Sequence, residues 1–284
     1  MQRNLLIVPL AAAFALSFLA PVSAGVQHFE PSYELATDKD TNVLGTSNKT
    51  ASDGDYAVSG SPQPRGEPET ATASDQYSLS SSPLPQLTIV QKRIPLTEKR
   101  KDLTREYTKM HYGFEAVYMD APKVVVVHWT AGGSINSVYN YFAKDEISVN
   151  DEFHKNNGKV NVGSQFLVDR DGTIYQLFDE TFIARQCIGM NYHSIGIENI
   201  GGVDGKEDLT DAQLQANILL IDYLETKYPT IDLVIGHLES YKYVNYPEYY
   251  TELIDGYITQ KVDPGKTFIR NVRLGVAKLE QERN

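Results

Sequence analysis

The fold is decided by Val124-Val-Val-Val-His-Trp-Thr-Ala-Gly-Gly133, or VVVVHWTAGG. Four consecutive valines are typical of a strand that is buried on both faces, as in a parallel sheet. A histidine stands at the end of this run, before a turn of small residues. The arrangement recurs in Leu233-Val-Ile-Gly-His237, and Lys261-Val-Asp-Pro-Gly265 places an aspartate before a Pro-Gly turn. We expect these three places to meet in space.

The segments between these fragments predict an α/β fold. Apolar residues with a helical period follow Ser134 and Thr210, which are residue types that cap helices. Short apolar runs surround the turn at residues 170–172 and fill residues 194–200, which is typical of strands. We therefore predict a central mixed β-sheet flanked by helices, with a binding site at the carboxyl ends of its strands.

Composition excludes several classes of partner and site. The chain has 284 residues and a net charge of −11, which argues against binding of nucleic acid through basic patches. We expect no nucleic-acid partner, and we expect a monomer. Cys187 is the only cysteine, so neither an intramolecular disulfide nor a cysteine-rich zinc site can form. A metal must therefore be held by His, Asp or Glu.

Three regions follow one another along the chain. Residues 1–24 have a positive start, an apolar run and small residues before Ala24, which predicts a signal peptide. The alternative is a membrane anchor, but the run is shorter than the roughly 20 apolar residues that span a bilayer. Residues 25–85 lack an apolar period and predict a disordered acidic tether. Residues 86–284 predict one globular domain. We expect an exported protein, periplasmic or extracellular, with no transmembrane segment in the mature chain.

The two strand-end histidines and the aspartate suggest a metal site. Two imidazoles at the ends of neighbouring strands point into one crevice. With Asp263 they would form a set of two His and one carboxylate, which leaves zinc an open position for water. The alternative is that His128 and His237 are packed, hydrogen-bonded residues and that Asp263 only begins a turn.

Two further residues could take part in chemistry. Glu198 lies in a mostly apolar strand, where a buried carboxylate is costly without a reason. It is either a general base near a metal-bound water or a glutamate that faces solvent. Lys261 stands two residues before Asp263, so both side chains share a face if the segment is extended. Lys261 is then either a cation that stabilises an oxyanion or a solvated surface lysine.

Six motifs occur together in one order: VVVHWTAGGS, NVGSQFLVDRDGTIYQL, IGMNYHSIGIENIGG, LTDAQLQANILLIDYL, VIGHLES and KVDPG. In this order they resemble the zinc-dependent N-acetylmuramoyl-L-alanine amidases of type 2, whose fold is shared by peptidoglycan recognition proteins. The likeness covers roughly residues 87–273. Relatives often carry histidine where Gln165 and Gln186 stand, which leaves open how the muramyl end of a substrate is held.

The resemblance implies a set of roles. His128, His237 and Asp263 would bind Zn²⁺. Glu198 would be the catalytic acid/base, and Lys261 would stabilise the transition state.

The implied reaction is hydrolysis of the amide between N-acetylmuramic acid and L-alanine, in peptidoglycan or in muropeptides. Arg170 and Arg185 are candidates to meet stem-peptide carboxylates, although ordinary ion pairing is the alternative for each. A competing hypothesis is a non-catalytic peptidoglycan-binding recognition module. Such proteins typically lack a zinc ligand, whereas all three are present here.

Overall fold

The computed structural model of the chain describes residues 86–148 and 156–283. The predicted signal peptide and tether lie outside the described residues, so both stay predictions. The strands are β1 (Ile89–Gln91), β2 (Val124–Trp129), β3 (Phe166–Val168), β4 (Ile174–Gln176), β5 (Ser194–Asn199) and β6 (Leu233–Gly236). The helices are α1 (Glu98–Tyr112), α2 (Ile135–Phe142), α3 (Asp211–Lys227) and α4 (Lys266–Arg283). Short 3₁₀ helices lie at Asn191–His193, Val203–Gly205 and His237–Tyr243.

All six strands form one sheet in the order β1-β4-β3-β5-β2-β6. The β3–β4 hairpin is antiparallel, and the other strand pairs are parallel. The mixed sheet predicted from sequence is therefore confirmed. β2 lies between β5 and β6, and all its residues are buried. Its carboxyl end is consequently flanked by the carboxyl ends of two parallel neighbours.

The valine run of β2 supplies both faces of the sheet. Val125 and Val127 pack with α3 and α4 in one core, whereas Val124 and Val126 pack in another with residues of the segment that follows β6. Successive strand residues point to opposite faces, so a strand covered on both sides requires an unbroken apolar run. On the second face α2 also packs, against Leu167 of β3.

The helix starts follow the predicted caps. Thr210 accepts a hydrogen bond from the backbone N–H of Gln213, while the Gln213 side chain accepts one from the backbone N–H of Thr210. This capping box satisfies donors that the first turn of α3 leaves unpaired. Ser134 caps α2 in the same reciprocal way with Ser137. Both predicted helix starts are confirmed.

α3 and α4 cross closely because Gly275 of α4 has no side chain. A Cβ atom added there would lie 2.2 Å from Cδ1 of Ile218 in α3. Ile218 is almost completely buried. The helix pair can thus approach the sheet as a tight layer. Within residues 86–148 and 156–283, none of the helices combines the length and the apolar character needed to cross a bilayer.

Candidate active site

Two neighbouring strands and one loop bring the predicted metal ligands to one edge of the sheet. His128 is the fifth residue of β2, and His237 follows β6 directly. β2 and β6 are parallel neighbours in register, with Val127 opposite Gly236. The two histidines therefore leave adjacent strands at the same height. Asp263 joins them from the loop before α4, where its backbone carbonyl accepts a hydrogen bond from the N–H of Leu238.

The three side chains form a small triangle of donor atoms. Nδ1 of His128 lies 3.0 Å from Nδ1 of His237 and 3.1 Å from Oδ2 of Asp263. Nδ1 of His237 lies 3.3 Å from the same oxygen. All three residues are buried, with exposed fractions of 2%, 8% and 8%. Among the described residues this is the cluster of His, Cys, Asp and Glu whose ligand atoms could hold one metal ion.

The triangle fits a tetrahedral cation better than it fits hydrogen bonding. Zinc with bonds of about 2.0–2.1 Å has ligand atoms roughly 3.3 Å apart, close to the spacings seen here. Hydrogen bonds alone leave the triangle unsatisfied. If both nitrogens donate to Asp263, two N–H groups face each other across 3.0 Å. If only one is protonated, it can donate along only one side of the triangle. A shared cation satisfies all three atoms.

The charges of the cluster are coupled. Burial opposes ionisation of Asp263, but the two imidazoles outweigh it and hold the pKa of the carboxyl well below its usual range. Burial lowers the pKa of His237 to about 4. Burial also acts to lower the pKa of His128, yet its hydrogen bond with Asp263 and the charge of Glu198 raise it overall. The Asp263 carboxylate thus favours positive charge at the triangle, whereas burial opposes it.

Glu198 lies beside this cluster. Its position in β5 is directly opposite His128 in the parallel register, and both line the same cleft. Its Oε2 atom is shielded from solvent and has no hydrogen-bond partner among the described residues. Burial raises the pKa of the carboxyl to about 8, with Asp263 adding to the rise while His128 and Lys261 oppose it. A carboxyl in this setting takes and releases a proton near neutral pH.

Comparison with known proteins identifies the domain that carries this cleft. The family model for N-acetylmuramoyl-L-alanine amidase matches residues 118–266, slightly more than half of the chain. The chain belongs to the N-acetylmuramoyl-L-alanine amidase family. The resemblance seen in the six motifs is thereby confirmed. The match runs from just before β2 to the start of α4, so it contains every predicted site residue.

The curated relatives of this amidase-family chain match only part of its length. It is similar to the endolysin of Escherichia phage T7, with 36% identity over 81 residues, covering 27% of this chain and 54% of the endolysin. The endolysin of Klebsiella phage KP32 is 32% identical over 90 residues, covering 30% and 60%. The chain thus spans only about half the length of the curated relatives it matches.

Among solved structures, the amidase LysC from Clostridium intestinale URNW covers 69% of this chain and 99% of its own, with 21% identity and a TM-score of 0.42. The peptidoglycan recognition protein PGRP-SA of bumblebee covers 66% and 93%, with 19% identity and a TM-score of 0.39.

Lys261 and the two candidate arginines have different surroundings in this amidase-family chain. Lys261 is partly buried and lines the cleft with Asp263. Arg185 also lines the cleft, but it is only 5% exposed, and it donates to the backbone carbonyls of residues 157, 158 and 160. Arg170 forms an ion pair with Asp208 at a distance of 3.3 Å. The alternative of ordinary pairing therefore describes Arg170, whereas Arg185 is a buried support of the cleft wall.

One contact in the cleft was not predicted from the sequence. Gln186, noted there only as a departure from relatives, places its side-chain oxygen 2.6 Å from Nε2 of His128. Gln186 lies in the loop between β4 and β5, where neither strand nor helix periodicity assigns a direction to its side chain. Only the folded arrangement brings it to the histidine. Gln165, the other departure, is buried and bonds backbone groups of residues 182 and 196.

Proposed function

We propose that this chain is a zinc-dependent hydrolase that cleaves the amide between N-acetylmuramic acid and L-alanine in peptidoglycan or its fragments. The observation that carries the proposal is the triangle of His128, His237 and Asp263 with Glu198 beside it. Family membership supplies the substrate class. The site supplies the chemistry, because two imidazoles and one carboxylate are a ligand set of zinc hydrolases.

Five side chains of the cleft have a role in the proposed reaction. His128, His237 and Asp263 would hold Zn²⁺, which when bound acts as a Lewis acid toward a carbonyl oxygen and a water. The pKa of Glu198 falls when positive charge occupies the triangle, so the carboxylate can accept a proton from the attacking water. Glu198 then returns that proton to the leaving amine of L-alanine. Lys261 carries the positive charge that stabilises negative charge developing on the substrate carbonyl oxygen.

The proposal includes where the enzyme acts. Peptidoglycan lies outside the cytoplasmic membrane, which agrees with the signal peptide predicted at residues 1–24. We propose that the enzyme is exported to the periplasm or the extracellular space and that residues 25–85 are not needed for chemistry. The expectation of a monomer also remains a prediction.

Products and metal content test the proposal together. The chain, purified without added metal, is incubated with a soluble muropeptide, and the products are identified by mass. Release of a stem peptide that begins with L-alanine, together with about one zinc per chain, is the expected result. His128→Ala should lose the metal. If the chain lacks stoichiometric zinc and a chelator leaves its activity unchanged, the metal site is wrong.

Glu198→Gln isolates the proton-transfer role. The amide keeps the size of the side chain but cannot take a proton, so turnover should fall about 10²–10⁴-fold while zinc stays bound. The matched control is Glu146→Gln, the same change at an exposed glutamate that pairs with Lys99. Binding of muropeptide without cleavage by the unaltered chain would instead support the recognition-module alternative.

A further inference from the structure

We propose that Gln186 is a positioning residue for the metal site: its side-chain carbonyl holds His128 in the tautomer that leaves Nδ1 free to bind a metal. This inference rests on the proposed function, because it concerns the same ligand triangle. It assigns a task to a loop residue that touches neither the other two ligands nor Glu198 in any described hydrogen bond.

The two ring nitrogens of His128 face different partners. Nδ1 points into the triangle, where the Nδ1 atom of His237 and Oδ2 of Asp263 lie within 3.1 Å. Nε2 points the other way and lies 2.6 Å from Oε1 of Gln186. A neutral imidazole carries its proton on one nitrogen and a lone pair on the other. The partner of Nε2 therefore influences whether Nδ1 carries a proton or a lone pair.

An amide oxygen can only accept a hydrogen bond. Facing Oε1 of Gln186, the Nε2 atom therefore carries a proton. When a cation takes the place of the hydrogen bond between Nδ1 and Oδ2 of Asp263, Nδ1 can then offer its lone pair. In the reverse orientation, the amide N–H₂ group would donate to Nε2 and drive the proton onto Nδ1, where it would block a metal. The direction in which the Gln186 amide faces thus favours or opposes metal binding by His128.

The surroundings of Gln186 fix the position of its backbone and side chain. Its Nε2 group lies 2.6 Å from the hydroxyl oxygen of Ser194, which is fully buried and accepts the hydrogen bond. The backbone N–H of Gln186 donates to Oδ1 of Asn191, and so does the N–H of Cys187. Both the backbone and the far end of the side chain are therefore tied down.

Gly196 makes the room that this side chain occupies. A Cβ atom on Gly196 would lie 3.0 Å from Cγ of Gln186 and 3.1 Å from its amide carbon. Gly196 belongs to β5, whose register pairs it with Val126, two residues before His128. The side chain of Gln186 therefore lies flat across β5 and reaches the end of β2. The contact between Gln186 and His128 therefore requires a residue without a side chain at position 196.

The orienting group is neutral, which suits the charge of the site. Asp263 and Glu198 already provide two carboxyl groups within the cleft. A third carboxyl at position 186 would add negative charge behind His128 and weaken the Lewis acidity of a bound cation. An amide fixes the tautomer without that added charge.

The experiment compares Gln186→Met with Gln186→Glu. Methionine keeps the length of the side chain and removes the acceptor, whereas glutamate keeps the acceptor and adds charge. The matched control is Gln91→Met, which removes the 3.0 Å hydrogen bond from Gln91 to Gln176 at β1, far from the cleft. Zinc affinity is measured by competition with a chelating indicator. The His128 tautomer is measured by ¹⁵N NMR on metal-free protein at a pH where the ring is neutral.

Gln186→Met should bind zinc about 10–100-fold more weakly than the unaltered chain. In this variant, the fraction of neutral His128 rings that carry their proton on Nε2 should fall. Gln186→Glu should bind zinc at least as tightly as the unaltered chain, and Gln91→Met should change neither measurement. Unchanged zinc affinity in Gln186→Met would overturn the inference, and so would weaker binding with an unchanged tautomer. If the unaltered chain binds no zinc, the proposed function fails, and the tautomer measurement alone still decides the role of Gln186.

Discussion

We predict that the protein loses stability in mild acid because His193 is buried. It ends the 3₁₀ helix Asn191–His193 before β5, at the opposite end of that strand from Glu198. The side chain is buried, and its ring packs against that of Tyr192 with the centroids 4.0 Å apart. Burial, together with the charge of Lys123, lowers the pKa of His193 to about 4. The folded state therefore keeps this ring neutral.

The size of the effect follows from proton linkage. In the unfolded chain His193 takes up a proton below its ordinary pKa of 6.5, while the folded chain does so only near pH 4. Between these values the unfolded state binds more protons, so stability falls as pH falls. From pH 7 to pH 5 the two pKa values give a loss of about 2 kcal/mol in the free energy of unfolding. The contribution stops changing with pH only well above the ordinary pKa of 6.5.

The test is urea unfolding of the metal-free protein at pH 7 and pH 5, followed by the fluorescence of Trp129. The variant is His193→Leu, which removes the titrating group and keeps an apolar side chain at the buried position. The difference between the two pH values should be about 2 kcal/mol smaller in the variant. His237, whose pKa burial also lowers, is present in both proteins and cancels. An equal loss in both proteins would refute the reasoning.

Three further predictions concern packing and domain organisation. Gly275→Ala should destabilise the chain by about 1–2 kcal/mol in urea unfolding, because the clash with Ile218 costs more than the gain in helix propensity. Adding Ile218→Val to that variant should restore part of the lost stability. If Gly275→Ala is instead more stable than the unaltered chain, the two helices can separate freely. Gly202 has a φ of 76°, and a Cβ atom added to it would lie 2.3 Å from the Trp129 ring. Gly202→Ala should therefore lower the midpoint of thermal unfolding and shift the fluorescence emission of Trp129. An unchanged emission spectrum would contradict that close contact. A chain that begins at residue 82 should cleave a soluble muropeptide at the rate of the chain that includes the tether, and a large loss of rate would assign the tether a part in the site.

The parts of the fold that depend on local sequence were predictable. A run of four valines indicates a strand covered on both faces, and Thr210 with Gln213 indicates a helix start, because each signal involves residues that are close along the chain. Strand order was not predictable in this way. The placement of β2 between β5 and β6 is set by helix layers packing across long separations in sequence.

The candidate site divides along the same line. His128 and His237 could be singled out because each ends an apolar strand, and Asp263 because it precedes a Pro-Gly turn. Gln186 and Arg185 could not be assigned a direction, since they lie in a loop whose side chains are oriented by tertiary hydrogen bonds alone. Arg185 is the clearest example of what the sequence could not predict. Its guanidinium group, which the sequence suggests is a surface cation, is buried and donates to backbone carbonyls.

The position of β1 at the edge of the sheet has a mechanical consequence. β1 pairs only with β4, over three residues, and two further strands separate β4 from β2. Tension applied through the residues that precede β1 therefore loads this short edge pairing first. A pull from the N-terminal side should therefore separate β1 from β4 before it separates β2 from β5 and β6, on which the cleft depends. Force spectroscopy on the chain pulled from its N-terminal side, with simultaneous detection of cleavage, would test whether the cleft stays active after β1 has separated.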